Sequence, residues 1–150
     1  MKKLFLYSSF TGNGDVISKE FENAGFELRK AVEKKKFPKS FFWSVMSGGF
    51  RAGFGLKGKL VNYDSDVSNY DEIFIGSPIW NGRFPPVMNS VLKQTDFSGK
   101  KLTFVFYSGS GTGPKAEAKV KKEFSSAKII FLKEPKKHSE EMLKLKEILK

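Results

Sequence analysis

The sequence predicts an α/β domain in which a parallel sheet carries helices on both faces. Short apolar runs such as Leu4–Tyr7 are too brief for helices and end in polar loops, as buried parallel strands do. Segments with apolar residues at helical spacing alternate with these runs along the chain. A length of 150 residues suits one core, so we expect a single domain over residues 1–150.

In the first part of the chain, a strand over Lys2–Tyr7 precedes a helix over Asp15–Ala24. Val16, Ile17 and Phe21 recur at helical spacing in that segment, and the following glycine supplies a stop. Phe26–Val32 alternates weakly between apolar and polar residues and predicts a second strand.

Residues 37–60 combine aromatic side chains with several glycines. Phe42, Val45, Met46 and Gly49 share one helical face, which favours packing on the sheet. A surface that meets a partner or a membrane is the alternative, since aromatic residues flanked by lysines suit an interface.

The remainder of the chain predicts three strands and three helices. Two central strands and a shorter last strand are expected at Asp71–Gly76, Lys101–Tyr107 and Lys128–Leu132. Helices over Pro85–Lys93 and Lys115–Phe124 follow the first two of these strands, each with a proline where a first turn tolerates one. Ser139 is the predicted N-cap of the last helix, because Glu140 and Glu141 then lie in its first turn.

Composition excludes several classes of protein. The chain has no cysteine and one histidine, so disulfides, a catalytic thiol and cysteine- or histidine-based metal sites are not expected. Apolar runs are far shorter than the roughly 20 residues that span a bilayer. We expect a cytoplasmic protein. The net charge of +11 suits a lysine-rich solvated surface or an acidic partner protein better than nucleic acid, since no nucleic-acid-binding motif is present.

Three loops follow predicted strands at the ends where parallel sheets bind ligands. The first, Ser8–Gly14, contains three hydroxyl side chains and leads into a helix, whose N-terminus favours an anion. No lysine follows Gly14, so the loop is not a nucleoside triphosphate hydrolase motif, and it suits a phosphate monoester that is held without being cleaved. The same residue types also form ordinary turns.

The second loop, Ser77–Arg83, contains Trp80. A tryptophan usually belongs to the core, but Pro78 before it and Asn81-Gly82 after it indicate a turn. We therefore expect the indole near the loop tip, exposed as a stacking platform for a flat ring.

The third loop, Ser108–Gly113, has almost no side-chain bulk. Its glycines would let the backbone approach a ligand closely, and a merely flexible turn is the alternative. The glycine spacing and Pro114 do not reproduce the dinucleotide-binding fingerprint.

Three stretches together carry a resemblance to a known family. Tyr7–Asn13, then Tyr70–Trp80, then Gly99-Lys100-Lys101 leading to Ser108-Gly109, resemble the flavodoxin family in order and spacing over nearly the whole chain. More narrowly, the chain resembles the short, single-domain flavodoxin-like proteins of bacteria. It implies a three-layer sandwich with a five-stranded parallel sheet in the order 2-1-3-4-5 and a noncovalently bound FMN.

The resemblance also implies a set of cofactor-binding residues. Ser9, Thr11, Gly12, Asn13 and Gly14 would hold the phosphate, with Ser8 and Phe10 lining the same loop. Ser77, Pro78, Ile79, Trp80, Asn81 and Gly82 would edge the ribityl chain and the ring. Ser108, Gly109, Ser110, Gly111, Thr112 and Gly113 would close the other side. We expect no catalytic side chain and no metal, because the flavin itself performs the redox step.

The chain departs from the family pattern in three ways. Gly14 stands where the family usually has threonine, the 108–113 loop lacks the aromatic residue that many flavodoxins stack on the ring, and the protein is basic where those flavodoxins are acidic. Complementarity then selects an acidic redox partner protein. The backbone at Asn81-Gly82 is a candidate hydrogen-bond partner for the reduced ring.

We therefore expect electron transfer through FMN, by a monomer or weak homodimer. An FMN-dependent NAD(P)H or quinone reductase is the alternative function, because an open ring face would admit a small-molecule substrate. A non-redox binding module that has lost FMN is the third.

Overall fold

The computed structural model describes residues 2–34 and 59–150. Within these ranges five strands alternate with four helices. In chain order the elements are β1 (Lys3–Tyr7), α1 (Asn13–Asn23), β2 (Glu27–Lys30), β3 (Glu72–Pro78), α2 (Pro86–Gln94), β4 (Lys101–Ser108), α3 (Pro114–Glu123), β5 (Lys128–Lys133) and α4 (Ser139–Leu149). The predicted helical face at residues 42–49 lies outside the described residues.

All neighbouring strands of the sheet run parallel, in the order β2-β1-β3-β4-β5. In the register, Phe5 lies beside Phe74, and Ile75 lies beside Phe104. The chain moves outward from β1 to β2 and then crosses to β3 on the other side of β1, so the direction of winding reverses between β1 and β3. The predicted fold class and strand order are confirmed.

The core has two layers because successive residues of a strand face opposite sides of the sheet. Phe5 packs on the side that carries α1 and α4, where its ring stacks on Phe21 with centroids 3.7 Å apart. Leu4 and Leu6 pack on the side that carries α2 and α3. The apolar runs of the strands are therefore buried on both faces, which explains why they do not alternate with polar residues.

Each helix starts one or two residues from its predicted position, and the first and last starts have a clear local cause. Helix α1 begins at Asn13, because Gly12 takes the N-cap position with φ 97°. The prediction that Ser139 is an N-cap is wrong: His138 holds that position, and Ser139 is the first helical residue. The reason lies in the preceding turn, where the N–H groups of Lys137 and His138 both bond to the carbonyl of Glu134.

A substitution at Gly76 in β3 tests how tightly the side chains pack against the sheet. A Cβ at this position would stand 2.6 Å from Cζ of Phe5. We expect Gly76→Ala to lower the free energy of unfolding by about 1–3 kcal/mol, the usual cost of overpacking. Gly109→Ala is the matched control, since a Cβ there meets nothing within 4 Å. Urea denaturation measures both, and equal stabilities of the two variants would contradict this account of the core.

Candidate functional site

The loops after β1, β3, β4 and β5 meet at the carboxyl edge of the sheet and enclose a cleft of about 420 Å³. Its walls come from all four loops. The lining residues are Phe10, Thr11, Asn13, Pro78, Ile79, Trp80, Tyr107, Ser108, Gly109, Glu134, Lys136 and Lys137. Parallel strands end at the same edge, so the three loops singled out in the sequence are brought together as expected.

The first loop presents backbone donors at the start of α1. Within the described part of the chain, no acceptor engages the N–H groups of Thr11, Gly12, Asn13 and Gly14. Ser9 Oγ accepts from the N–H of Asp15, at 3.3 Å, which holds the loop against the first turn. The unengaged N–H groups and the positive end of the helix dipole together favour an anion.

Gly14 lies where no side chain fits. A Cβ would stand 2.7 Å from both the carbonyl oxygen of Ser8 and the hydroxyl of Tyr107, and 2.9 Å from Cβ of Ser9. The Tyr107 hydroxyl donates a hydrogen bond to that Ser8 carbonyl. Burial raises the pKa of Tyr107 well above its usual value, so the hydroxyl keeps its proton. Tyr107 therefore occupies the space that a threonine at position 14 would need.

The second loop is a tight hairpin turn. The N–H of Trp80 donates to the carbonyl of Arg83 at 2.8 Å, and the N–H of Arg83 donates back at 3.0 Å. Asn81 has φ 50° and Gly82 has φ 76°, the conformation that Asn-Gly favours in two-residue turns.

The expectation that Trp80 is exposed at this tip is wrong. Asn81 and Gly82 form the tip, whereas Trp80 lies at the base of the turn and is only 6% exposed. Its indole meets the ring of Phe10 edge-on, with centroids 5.2 Å apart. Phe10, 39% exposed, is the more accessible aromatic residue of this pair, and both rings line the cleft.

The third loop is shaped by one hydroxyl. Ser108 Oγ accepts from the N–H groups of Gly111 and Thr112 at 3.0 and 3.1 Å, and donates to the carbonyl of Thr112 at 2.9 Å. These bonds hold the 108–113 loop in a defined turn. A second cavity of about 480 Å³ lies between this loop and the second one, lined by Ile79, Asn81, Gly82, Gly109, Ser110, Thr112, Pro114 and Lys115.

The structure brings most of the sequence-predicted residues to the two cavities. Phe10, Thr11, Asn13, Pro78, Ile79, Trp80, Ser108 and Gly109 line the first, and Asn81, Gly82, Ser110 and Thr112 line the second. The described linings do not include Ser8, Ser9, Gly12, Gly14, Ser77, Gly111 or Gly113. These seven residues form or pack behind the loops. Ser77, for example, is fully buried and bonds to the Pro78 carbonyl.

Sequence reasoning missed the loop after β5, which contributes Glu134, Lys136 and Lys137 to the cleft. It is the fourth loop at a strand's carboxyl end, and Pro135, which breaks the chain there, was the signal for it. Tyr107 was also missed, because an aromatic residue inside a strand predicts only core packing.

An open parallel sheet with an anion-favouring loop beside its point of reversal defines a ligand-binding doubly wound α/β domain. A family model for flavodoxin matches residues 56–146, more than half of the chain, and the chain belongs to the flavodoxin family. The matched range begins after the first loop, so the anion site there rests on the geometry described above. No curated protein matches the sequence.

Solved structures share the fold. A candidate flavoprotein from Bacteroides eggerthii is 19% identical, with a TM-score of 0.72 over 85% of this chain and 87% of that one. A Lactobacillus acidophilus flavoprotein in complex with FMN is 24% identical, with a TM-score of 0.55 over 86% and 89%. An FMN-dependent NADH-azoreductase from Bacillus anthracis in complex with FMN is 10% identical, with a TM-score of 0.55 over 99% and 96%.

Two kinds of structural feature are absent from the described residues. In residues 2–34 and 59–150, no helix has both the length and the apolar character needed to cross a membrane. The same residues contain no cluster of metal-ligating side chains.

The contact between Gly14 and Tyr107 gives a testable coupling. We expect Gly14→Ala to cost about 1–3 kcal/mol of stability through overpacking, and Tyr107→Phe about 1 kcal/mol through the lost hydrogen bond. The double variant should be less destabilised than the sum by at least about 0.5 kcal/mol, because removing the hydroxyl vacates the crowded space. A thermodynamic cycle from urea denaturation measures this coupling, and strict additivity would contradict it.

Proposed function

We propose that this chain is an FMN-binding flavoprotein that transfers electrons. Family membership and the FMN in the Lactobacillus acidophilus structure support FMN as the cofactor. The observation that most directly supports FMN binding is the run of backbone N–H groups from Thr11 to Gly14 that have no acceptor in the described residues. This run borders a cleft large enough for an aromatic ligand.

The first loop fits a phosphate by its own chemistry. Ser8 is 3% exposed, and its hydroxyl has no hydrogen-bond partner within the described part of the chain. A buried hydroxyl without a partner is costly, and such groups are typical of binding sites. Hydroxyl and backbone donors from Ser9 to Gly14 would hold a phosphate monoester, and no residue of the loop is placed to cleave it.

The cleft beyond the phosphate end fits a flat ring. Trp80, Ile79 and Tyr107 supply apolar lining, and Phe10 borders the same space. FMN supplies the one- or two-electron chemistry when it is bound. The protein's part is to orient the ring and to keep water from the buried side of the cleft.

The Asn81-Gly82 turn is the proposed backbone partner of the ring. The carbonyl of Gly82 accepts from the N–H groups of Lys115 and Ala116, at 3.1 and 2.8 Å, which fixes the turn to α3. Within the described residues, the backbone N–H and carbonyl of Asn81 have no hydrogen bond. The backbone of Asn81 and the N–H of Gly82 are therefore the groups of this turn that are available to a ligand.

The charge of the surface supports an acidic redox partner. Lys136 and Lys137 line the first cleft, Lys115 lines the second cavity, and the chain as a whole carries +11. A positive rim around the cofactor edge would attract a negatively charged protein and raise the rate of encounter.

A reductase is the second candidate function. The third loop exposes Gly109, Ser110 and Thr112 and carries no aromatic ring, and the 480 Å³ cavity lies beside it. A quinone or NAD(P)H would enter from this side. Steady-state NAD(P)H oxidation with a quinone separates the functions, because turnover by the protein alone supports the enzyme and its absence supports the carrier.

The visible absorption spectrum of the purified protein tests FMN binding. We expect flavin bands near roughly 375 and 450 nm, in the protein as purified or after incubation with FMN. A protein that stays colourless after incubation and dialysis would favour the third function, a binding module without flavin.

Gly12→Ala tests the role of the first loop. Gly12 has φ 97° and Gly25 has φ 87°, so an alanine at either position is strained by about 1–2 kcal/mol. Gly25 lies at the opposite end of α1 and a Cβ there meets nothing within 4 Å, which makes Gly25→Ala a control of equal backbone strain. Fluorescence titration should show that Gly12→Ala binds FMN at least about tenfold more weakly than the wild type, whereas Gly25→Ala binds it normally. The reason is that relief of the backbone strain at position 12 would move the N–H donors of the loop away from the phosphate.

If Gly12→Ala and Gly25→Ala both bind FMN as tightly as the wild type, the first loop does not hold the phosphate.

A further inference from the structure

Lys136 joins two loops at the phosphate end of the cleft. It lies in the turn between β5 and α4, and its backbone N–H donates to Oδ1 of Asn13 at 3.0 Å. Its Nζ donates to the carbonyl oxygen of Thr11 at 3.4 Å. A Cβ on Gly12 would stand 3.3 Å from the same Nζ. The ammonium group therefore lies directly against the first loop.

The Lys136 ammonium group makes fewer hydrogen bonds in the described residues than its three N–H groups allow. A lysine has three N–H donors, and the long bond to Thr11 is the only hydrogen bond that Nζ makes within the described part of the chain. Over the same residues no carboxylate lies within 4 Å of it. The two nearby acids have other partners: Glu134 pairs with Lys137 at 2.9 Å, and Asp15 pairs with Lys30 at 2.7 Å.

The position of this charge conflicts with the helix beside it. A cation at the N-terminus of α1 faces the positive end of the helix dipole and a row of N–H donors, which is unfavourable unless an anion lies between them. Local conflicts of this kind are characteristic of functional sites. A dianionic phosphate on the first loop would be attracted by the helix terminus and by the ammonium at once.

We propose that Lys136 is a ligand of the phosphate, contributed by the loop after β5. The proposal rests on the proposed function, and adds to it a cationic donor that the predicted phosphate loop, Ser8–Gly14, does not contain. Because Lys136 is bonded to Asn13 through its backbone, the two loops are already joined, and only the flexible side chain has to move to reach the anion. A surface lysine that serves partner docking alone is the competing explanation.

Lys136→Met tests the proposal, with Lys121→Met as the matched control. Lys121 lies on α3, is exposed, pairs with Glu117 and lines neither cavity, so its loss removes the same charge at a distance from the site. Each variant is titrated with FMN and with riboflavin, which lacks the phosphate. Thermal melts confirm that both variants fold.

We expect Lys136→Met to raise the Kd for FMN about five- to tenfold, as loss of a partly exposed charge-assisted bond would. Riboflavin affinity should not change, Lys121→Met should match the wild type for both flavins, and Lys136→Arg should restore FMN affinity to within about twofold because it keeps the charge.

The possible outcomes distinguish a failure of the Lys136 assignment from a failure of the proposed FMN-binding function. If Lys136→Met and Lys121→Met bind FMN alike, Lys136 is not a ligand while the FMN function stands. An equal loss for FMN and riboflavin assigns Lys136 to the ring end or to loop structure and overturns the phosphate assignment. A wild-type protein that binds neither flavin overturns the proposed function and this inference with it.

Discussion

The hydrogen bond from the Tyr107 hydroxyl to the Ser8 carbonyl is the contact on which the site depends. It joins residues 99 positions apart in the chain, because it reaches from the end of β4 to the first residue after β1. The hydroxyl fills the space beside Gly14, so the first turn of α1 packs against it without a side chain at that position. In a buried setting such a bond is strong, and its loss leaves a polar group unpaired. The shape of the first loop, which favours an anion, is therefore set in part by a side chain of β4.

The first loop also positions an aromatic residue, Phe10, at the other end of the cleft. With the first loop held in this way, Phe10 projects from it and meets Trp80 edge-on at the base of the Asn81-Gly82 turn. Edge-on aromatic pairs are favourable in themselves, so each ring stabilises the position of the other. The two ends of the cleft are thus coupled, because a change that displaces the first loop also displaces an aromatic wall of the cleft.

Residue patterns predicted the strands well and the tertiary contacts poorly. The sequence patterns located every strand to within two residues. Apolar runs marked the strands that are buried on both faces, whereas weak alternation marked β2, which is mostly exposed. Strand order came from the resemblance to a family, because periodicity reports which residues are buried and not which strands are neighbours.

Trp80, Tyr107 and Lys136 show what local patterns leave out. The turn beside Trp80 was recognised, but the burial of the indole and its edge-on contact with Phe10, 70 residues away in the chain, were not. Tyr107 has the pattern of a core residue, and only the fold shows its hydroxyl against Ser8. In the sequence, Lys136 is one of many lysines, and only the fold shows that it bonds to Asn13. Each of these roles is a long-range contact, which a pattern of neighbouring residues does not encode.

Under the proposed function, the positive charge of the chain would have two separable roles at this edge of the sheet. A cation in contact with a phosphate acts over a few ångströms, where salt screens little, whereas attraction of an acidic protein acts over distances comparable to the Debye length of about 10 Å at 0.1 M salt. Raising the ionic strength should therefore weaken docking well before it releases the cofactor. By charge complementarity, acidic flavodoxins suit basic partners, whereas this basic chain would attract an acidic partner and would also add a charge to the site that holds the phosphate.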